Sequence, residues 1–402
     1  MINDSYNFRE LITVIGIILL SKSLYYESYG ENILLIVFLG FLFFSFNILK
    51  LKIHVPVLLY ISSLLFIIIL NPDSQFDSVL VLIVRFSIAI FIVHILSFQK
   101  FSKIYVDIIL FLSFFSISTL LILHFNIDSF LPDFTAMDGR YIRNFVLFGV
   151  PEGNFIHGIS KNSGLWWEPG AFQLFVNLAF IFTIISNSIS HKKYILFFVT
   201  ILTIGSTTGF IVFSLLSLIY FKKHLANVQK KYLFFLIVIT ASFFFFLLSY
   251  VSPLIYDKFN QDSISFISFL SRYYDFIISY NLFIDNFILG YGFGSQIENA
   301  IPYGADLIGH DVYYSLNRPT GSDGISMFIA QIGIFSFIFL APFLVPKYYA
   351  YLHFAQKLII SVSLLLMFNT ENFTFILIFT ILSIYGIVGN IRQKHNETIN
   401  YS

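Results

Sequence analysis

The feature that most constrains this chain is a series of long apolar runs that recurs along its whole length. A run of about 17 to 25 apolar residues is long enough to cross a bilayer as a helix. The sequence therefore predicts an integral membrane protein. The predicted spans are 10–24, 32–49, 55–70, 78–97, 104–125, 169–189, 232–252 and 325–345.

The composition agrees with a membrane protein. Charged residues make up 11% of the chain and hydrophobic ones 57%, whereas a soluble domain carries roughly 25% charged residues. The net charge of +1 gives no indication of a nucleic-acid partner, and the absence of cysteine excludes disulfide bonds and thiolate metal sites. Residues 1–10 contain no basic region typical of a signal peptide, so we interpret the first apolar run as a retained span.

Basic residues in short loops predict which side of the membrane each loop occupies. They fall in alternate loops, and the side that holds them is expected to be the cytoplasm. Both termini are then cytoplasmic. The basic clusters are Lys50 and Lys52, Lys100 and Lys103, Lys192 and Lys193, Lys222 and Lys223, Lys230 and Lys231, Lys347 and Lys357, and Arg392 and Lys394.

Two further apolar regions, 194–221 and 358–390, are interrupted by polar residues. Both begin and end beside cytoplasmic basic residues, so the chain must turn back at "GSTTG" (205–209) and at "FNTENF" (368–373). Residues 194–221 give only about 42 Å of helix, too little for two crossings of ~30 Å each. We expect each region to form two short helices that meet in the outer half of the membrane, where protein or a water-filled cavity must surround irregular backbone.

The predicted fold is all-α, a single membrane domain over residues 1–402. It has about 12 transmembrane segments when both halves of each broken pair are counted. Two long loops, 126–168 and 253–324, fall on the outer side. Loops of this length in a compact protein are usually functional or disordered, and the many Phe, Tyr and Ile residues in these two predict order.

The stretch "WWEPGAFQ" places a carboxylate, Glu168, at the threshold of the sixth span. Pro169 suits the first turn of a helix and favours an extended backbone at Glu168, where the helix dipole stabilises a negative charge. Gln173 and Asn177 continue inward from Glu168 as one polar stripe, which predicts a hydrated groove. The alternative is a helix cap with an aromatic anchor, because Trp166 and the tryptophan after it suit the membrane–water interface.

Four arginines in the outer loops are candidate phosphate ligands, because the guanidinium fork suits bidentate recognition of phosphate. Arg140 and Arg143 lie side by side if "DGRYIRN" is helical. Arg272 lies in a stretch that could form an amphipathic helix on the membrane, and Arg318 precedes a span. Arg85 lies inside the fourth span, where charge indicates function by default. The alternatives are surface pairs with aspartates for the outer four and a salt bridge to an acid such as Glu371 for Arg85.

Several motifs, in their order and topological placement, resemble the O-antigen polymerase family (the Wzy type). The resemblance covers about 164–340 of the sequence. Where the related ligases usually have His-Asn, this chain has Ser322 and Asp323, which weighs against a ligase. The motifs are "WWEPGAFQ" at the sixth span, the "GSTTG" break, "SRYYDFIISYNLFIDNFILGYGFGS" (271–295) and "SDGISMFIAQIGIFSFIFL" (322–340).

The resemblance implies a GT-C-like glycosyltransferase at the outer face of a bacterial cytoplasmic membrane. Such enzymes move a growing glycan from undecaprenyl pyrophosphate onto the next lipid-linked repeat unit, without a metal or other cofactor. The family also implies a chain-length regulator of the Wzz type as a partner. Glu168 and Arg272 are then the predicted catalytic residues, Glu168 acting as the base. The predicted pyrophosphate and substrate ligands are Arg140, Arg143, Arg318, Arg85, Gln173 and Asn177.

Two other functions remain open from the sequence. An O-antigen ligase would transfer finished chains onto lipid A core by the same chemistry. A flippase or other transporter of lipid-linked oligosaccharides would catalyse no reaction. Transporters often show inverted repeats and intramembrane charge on several helices, and the sequence shows neither clearly.

Overall fold

A computed structural model gives the fold of the 402-residue chain. It describes residues 7–23, 31–46, 54–124, 133–135, 141–145, 148–151, 155–156, 159–166, 168–226, 264–294, 324–369 and 376–389, with 252, 256 and 259 as isolated positions. The predicted span at 232–252 lies outside the described residues, except for its last position.

Thirteen α-helices and five short strands make up the described part of the chain. The helices are α1 (Phe8–Leu19), α2 (Glu31–Ser45), α3 (Val55–Leu70), α4 (Phe76–Ile95), α5 (Phe98–His124), α6 (Pro169–Ile185), α7 (His191–Ile204), α8 (Thr207–Ala226), α9 (Ile264–Asp285), α10 (Gly324–Ile332), α11 (Ser336–Leu344), α12 (Phe354–Asn369) and α13 (Leu377–Val388). Short 3₁₀ turns, Gly333–Phe335 and Lys347–Tyr349, precede and follow α11.

Three helical segments of the described chain are long and apolar enough to cross a membrane. They are Phe76–Ile95, Phe98–Leu121 and Gly324–Tyr349, the last of which combines α10, α11 and the two 3₁₀ turns. Six shorter apolar helices accompany them. The predicted helical membrane character is therefore supported, and the predicted spans agree with the helices to within a few residues at most ends.

The first outer loop contains strands, which the all-α prediction did not include. Strands β1 (Asp133–Thr135), β2 (Tyr141–Phe145) and β3 (Phe148–Pro151) form an antiparallel sheet in that order. Strands β4 (Phe155–Ile156) and β5 (Ile159–Ser160) form a separate pair. The β-branched and aromatic residues of "YIRNF" suit a strand, although this short stretch has no regular alternation of apolar and polar residues.

The chain divides into two compact units where the sequence predicted one domain. Unit 1 comprises Met1–Ile108, Tyr274–Leu352 and Glu371–Ser402, and unit 2 comprises Ile109–Tyr273 and His353–Thr370. Each unit is built from segments that are distant in sequence.

Helix α13 is the core of unit 1. All residues from Leu377 to Gly386 are buried, and α13 packs against α1, α3, α4 and α11. A Cβ atom added at Gly386 would lie 1.9 Å from the carbonyl oxygen of Pro342. Only a glycine therefore allows α13 to approach α11 this closely.

Contacts at the two ends of α4 separate the loops of unit 1 into two sets. At its C-terminal end, Tyr385 donates a hydrogen bond to the carbonyl of Leu96 (2.9 Å). Lys100 forms an ion pair of 2.7 Å with Glu10. At the other end, the backbone N–H of Gln75 donates to a carbonyl of the segment 289–294 (2.8 Å). Twenty residues of helix, about 30 Å, lie between the sets. The side of the membrane that each set occupies stays a prediction.

Helix α6 is the core of unit 2, because every residue except Gly170 is buried. A helix that is apolar on all sides belongs in the interior of a bundle. Helices α7, α8 and α12 pack around it.

The second broken region is also confirmed as two helices, α12 and α13, while Glu371 between them lies outside the described residues.

The chain turns back at "GSTTG", as predicted. Gly205 ends α7 in the left-handed conformation with φ 60°, which glycine adopts without steric cost. The next helix, α8, begins at Thr207. It is longer than expected, because its twenty residues cover about 30 Å. The pair is therefore one short and one long helix, since α8 continues beyond the lysines at its C-terminal end.

Candidate functional site

Glu168 is the N-terminal flanking residue of α6, as the sequence predicts. Its backbone is extended (φ −145°, ψ 153°), and Pro169 occupies the first turn of the helix. The Glu168 side chain makes no capping hydrogen bond to α6 and is half-buried. The carboxylate therefore lies at the positive end of the helix dipole. It does not cap the helix, unlike in the alternative interpretation of this stretch as a helix cap with an aromatic anchor.

Asn162 fixes the end of the first outer loop just before Glu168. Its side-chain amide donates to the hydroxyls of Ser116 and Thr203, both at 3.0 Å, and its Oδ1 accepts from the N–H of Gly164 at 3.0 Å. The Asn162 backbone N–H donates to the carbonyl of Thr203 (3.0 Å). One buried amide thus joins this loop to α5 and to the end of α7.

Trp166 packs inside unit 2 and is therefore not an exposed aromatic anchor. It is fully buried, and its ring lies 4.1 Å from that of Phe175 and 5.3 Å from that of Phe172, both nearly parallel. Gly164, with φ 56°, lies so close to Phe172 that a Cβ atom would be 2.8 Å from the ring. The tight turn at Gly164 folds the tryptophan back onto α6. Trp167 lies outside the described residues.

Gln173 and Asn177 continue from Glu168 into the interior along α6. The Asn177 amide donates to Gln173 Oε1 (3.1 Å) and to the carbonyl of Gly209 in α8 (3.3 Å). A Cβ atom at Gly209 would lie 2.9 Å from Gln173 Cβ, so the missing side chain allows α8 to close over the pair. Both amides are fully buried. The groove predicted from this stripe therefore does not extend to these two residues, because α8 covers them.

The buried amide pair has unused hydrogen-bonding capacity. Gln173 Nε2, a donor, and Asn177 Oδ1, an acceptor, have no partner within the described part of the chain. Gln173 Nε2 shares its carbon with Oε1, and Asn177 Oδ1 shares its carbon with Nδ2. Oε1 and Nδ2 are the two atoms of the hydrogen bond that joins the side chains. A single hydroxyl group, from water or a sugar, could accept from one and donate to the other. Such a neutral pair suits a hydroxyl better than a phosphate, which requires opposite charge when buried.

The predicted arginines that the structure describes lie on three different elements. Arg272 is half-buried on α9 in unit 2, and Arg85 is half-buried at the middle of α4 in unit 1. Arg143 lies in strand β2, opposite Asp133 and Val150 in register. The helical arrangement considered for Arg140 and Arg143 is therefore wrong. Arg140 and Arg318 lie outside the described residues.

The glycine-rich turn at 290–294 packs onto two other segments of unit 1. Gly290, Gly292 and Gly294 all have positive φ, between 71° and 98°. Cβ atoms at these positions would lie within 3 Å of the α10 backbone, of the loop that joins α3 to α4, or of the Ser78 side chain in α4. Glycine is therefore required at each of them for steric reasons.

The amides of this turn are already engaged in hydrogen bonds. Tyr291 N–H donates to the carbonyl of Ala330 at 3.0 Å, and Phe293 N–H donates to the hydroxyl of Ser74 at 3.0 Å. Asn71 also donates to the carbonyl of Gly290 at 2.8 Å. A glycine-rich loop that binds phosphate needs amides directed at the ligand. This turn instead holds the end of α9 in place.

Sequence reasoning missed Asn162, Ser116 and Thr203, which hold the segment before Glu168. Ser116 and Thr203 are among several hydroxyl residues of two otherwise apolar helices, and their contact with Asn162 distinguishes them. The available indication in the sequence was that both are polar residues inside predicted apolar segments. Asn162 is far from both along the chain, so the sequence does not indicate the contact.

No group of three or more metal-ligating side chains occurs within the described ranges. No protein-family model matches the chain, and neither a curated protein nor a solved structure matches it. The resemblance to O-antigen polymerases therefore depends on the quoted motifs and their topological order.

Proposed function

We propose that this protein is a glycosyltransferase of the O-antigen polymerase type. It extends a surface polysaccharide at the outer face of a bacterial cytoplasmic membrane, with a GT-C-like arrangement of helices. The observation that carries the proposal is the placement of Glu168. This carboxylate stands at the N-terminus of the most buried helix of unit 2 and does not cap it.

The chemistry joins two lipid-linked glycans. An acceptor hydroxyl attacks the anomeric carbon of the growing chain and forms the new glycosidic C–O bond. The C–O bond to undecaprenyl pyrophosphate breaks, and its electron pair leaves with the pyrophosphate. Glu168 accepts the proton of the acceptor hydroxyl as general base. No electron is gained or lost overall, so the reaction needs no redox cofactor.

The surroundings of Glu168 suit a base that must be held in one position. Asn162 fixes the backbone on one side through hydrogen bonds of 3.0 Å, and Pro169 restricts it on the other. Trp166 is stacked against α6 two residues earlier. A preorganised carboxylate of this kind loses little entropy when substrate binds.

The pyrophosphate leaving group requires cations near the membrane surface. Arg272, half-buried on α9, supports this part of the proposal and is assigned to the developing charge. Arg140, Arg143, Arg318 and Arg85 are proposed as further pyrophosphate ligands. Preorganised positive charge of this kind is usually the largest contribution to catalysis. Gln173 and Asn177 are assigned to a substrate hydroxyl through their two atoms without a hydrogen-bond partner among the described residues.

The lipid-linked glycans of cells that lack this protein test the proposal. They are extracted, and both their length and the leaflet that holds them are determined. A polymerase predicts single repeat units that accumulate on the outer leaflet. Long lipid-linked polymers would instead indicate a ligase, and single units on the inner leaflet would indicate a flippase. Either of these results overturns the proposal.

A further inference from the structure

Helix α9 carries a continuous stripe of exposed aromatic and aliphatic side chains. Spacings of three and four residues place these side chains on one face of the helix. The opposite face is buried and includes Asp275, Ile278, Ser279 and Leu282. The stripe consists of Tyr273, Phe276, Tyr280 and Ile284, each about half exposed (51–55%).

The buried face of α9 is attached to the apolar segment that contains α10 and α11. Ser279 Oγ lies 3.7 Å from Met327 Sδ in α10. Just after α9, the carbonyl of Phe287 accepts a hydrogen bond from Ile334 N–H at 2.8 Å. A Cβ atom at Gly333 would lie 2.5 Å from the carbonyl oxygen of Ile288. The C-terminal end of α9 is therefore fixed beside the 3₁₀ turn between α10 and α11.

The stripe continues into the exposed surface of that apolar segment. Phe287 and Ile288 are exposed directly after the stripe, and Phe337 and Ile338 of α11 are exposed beyond the turn. The segment Gly324–Tyr349 is long and apolar enough to cross a membrane, with a mean hydropathy of 2.3. We therefore expect its exposed side chains to face lipid. The α9 stripe extends this same surface outward by about 17 Å at ~1.5 Å per residue.

We propose that α9 is an interfacial helix that lies in the outer leaflet, with Tyr273, Phe276, Tyr280 and Ile284 inserted into the lipid. Tyrosines occupy the outer half of the stripe, and Ile284, Phe287 and Ile288 follow at its inner end. Tyrosine favours the headgroup region, where its ring and hydroxyl meet different surroundings. The helix is therefore tilted, with its C-terminal end deeper than its start.

This placement sets the height of Arg272, which directly precedes the stripe. On a helical projection Arg272 lies between the stripe and the buried face, at the edge of the lipid surface. A long cationic side chain at this edge extends to the headgroup layer. Arg272 is thus at the height of lipid phosphates. This position of Arg272 follows from the contact of α9 with lipid and does not depend on the proposed transfer of sugars.

Spin labels test the proposal cleanly, because the chain contains no cysteine. Single cysteines replace Phe276, Tyr280 or Ile284 in the full chain, which is labelled and reconstituted in lipid nanodiscs. The accessibility of each label to oxygen, which partitions into lipid, is compared with its accessibility to a water-soluble nickel complex. Phe337→Cys is the lipid-facing control. Asp73→Cys is the water-facing control, because Asp73 is exposed in the loop between α3 and α4.

We expect the three stripe labels to resemble the Phe337 label, with oxygen accessibility rising from position 276 to position 284. Accessibility to nickel equal to that of the Asp73 label would overturn the proposal. The proposal would also be overturned if neither oxygen nor nickel reached the labels and their spectra showed dipolar broadening from a nearby label. A second copy of the chain would then cover the stripe. All three positions are exposed, so the substitutions remove no buried packing. Activity enters none of these measurements.

Discussion

At the scale of single residues, the sequence predicted the position of Glu168 better than the environment around it. The backbone at Glu168 is set by Pro169, its neighbour in the chain, and such local effects can be inferred directly from sequence. The burial of Trp166 and the closure of α8 over Gln173 depend on contacts across unit 2. Tertiary packing of this kind leaves no periodic signal, which explains why both were missed.

The Gln173–Asn177 pair gives a stability prediction at this scale. Asn177→Leu leaves Gln173 Oε1 and the carbonyl of Gly209 without their buried donor. We expect the free energy of unfolding to fall by about 1–3 kcal/mol. Adding Gln173→Met removes one of the two abandoned acceptors. The double variant should therefore lose less stability than the sum of the single variants.

A double-mutant cycle on the detergent-purified protein, measured by denaturant unfolding, checks this coupling. Ser118→Ala serves as the control, since Ser118 is a half-buried helical residue whose hydroxyl donates to Phe114 of its own helix. If the two substitutions add to within about 0.5 kcal/mol, the amides act independently. The predicted network would then be incorrect.

At the scale of elements, the broken helix pairs followed from charge and length, whereas their exact lengths did not. Basic residues on both sides of 194–221 required a turn, and Gly205 provides it. The length of α8 depends on how far the helix continues past its lysines, which hydropathy does not determine. The strands of the first outer loop escaped prediction because each is only two to five residues long.

The packing of α13 on α11 predicts a strong effect of one methyl group. Gly386→Ala brings a Cβ atom into the carbonyl of Pro342, at 1.9 Å without relaxation. We expect a loss of at least about 1–3 kcal/mol in the free energy of unfolding, the usual cost of overpacking. Thermal unfolding of the purified variant measures it.

Gly40→Ala is the matched control, because Gly40 is also helical and a Cβ atom there meets nothing within 4 Å. Alanine is the better helix former by about 1 kcal/mol, so this variant should be as stable as the wild type or more so. Equal stability of the two variants would show that α13 does not approach α11 closely.

At the scale of the whole molecule, the distribution of basic residues predicted which loops share a side. Within unit 1, the segment 71–75 meets 289–294 at one end of α4 and Lys100 meets Glu10 at the other, while the membrane side of each end stays a prediction. The division into two units could not be predicted, because each unit combines segments far apart in sequence. Hydropathy reports individual helices and contains no information on how they group.

Cysteine labelling in intact cells tests the predicted orientation. Asp73→Cys lies in an exposed loop predicted to be outside, and His353→Cys lies in an exposed loop predicted to be cytoplasmic. A membrane-impermeant maleimide should label position 73 in intact cells and position 353 only after the cells are broken. The reverse pattern would invert the topology and place Glu168 on the cytoplasmic side.

The central claim is that Glu168 performs chemistry at the N-terminus of α6. The most direct test is the chain-length distribution of the polysaccharide in cells that express Glu168→Gln at wild-type abundance. Asp77→Asn is the control, because Asp77 is an exposed acid in the first turn of another helix, α4. We predict single repeat units for Glu168→Gln and a wild-type ladder for Asp77→Asn. A wild-type ladder from the stable Glu168→Gln protein would contradict the account.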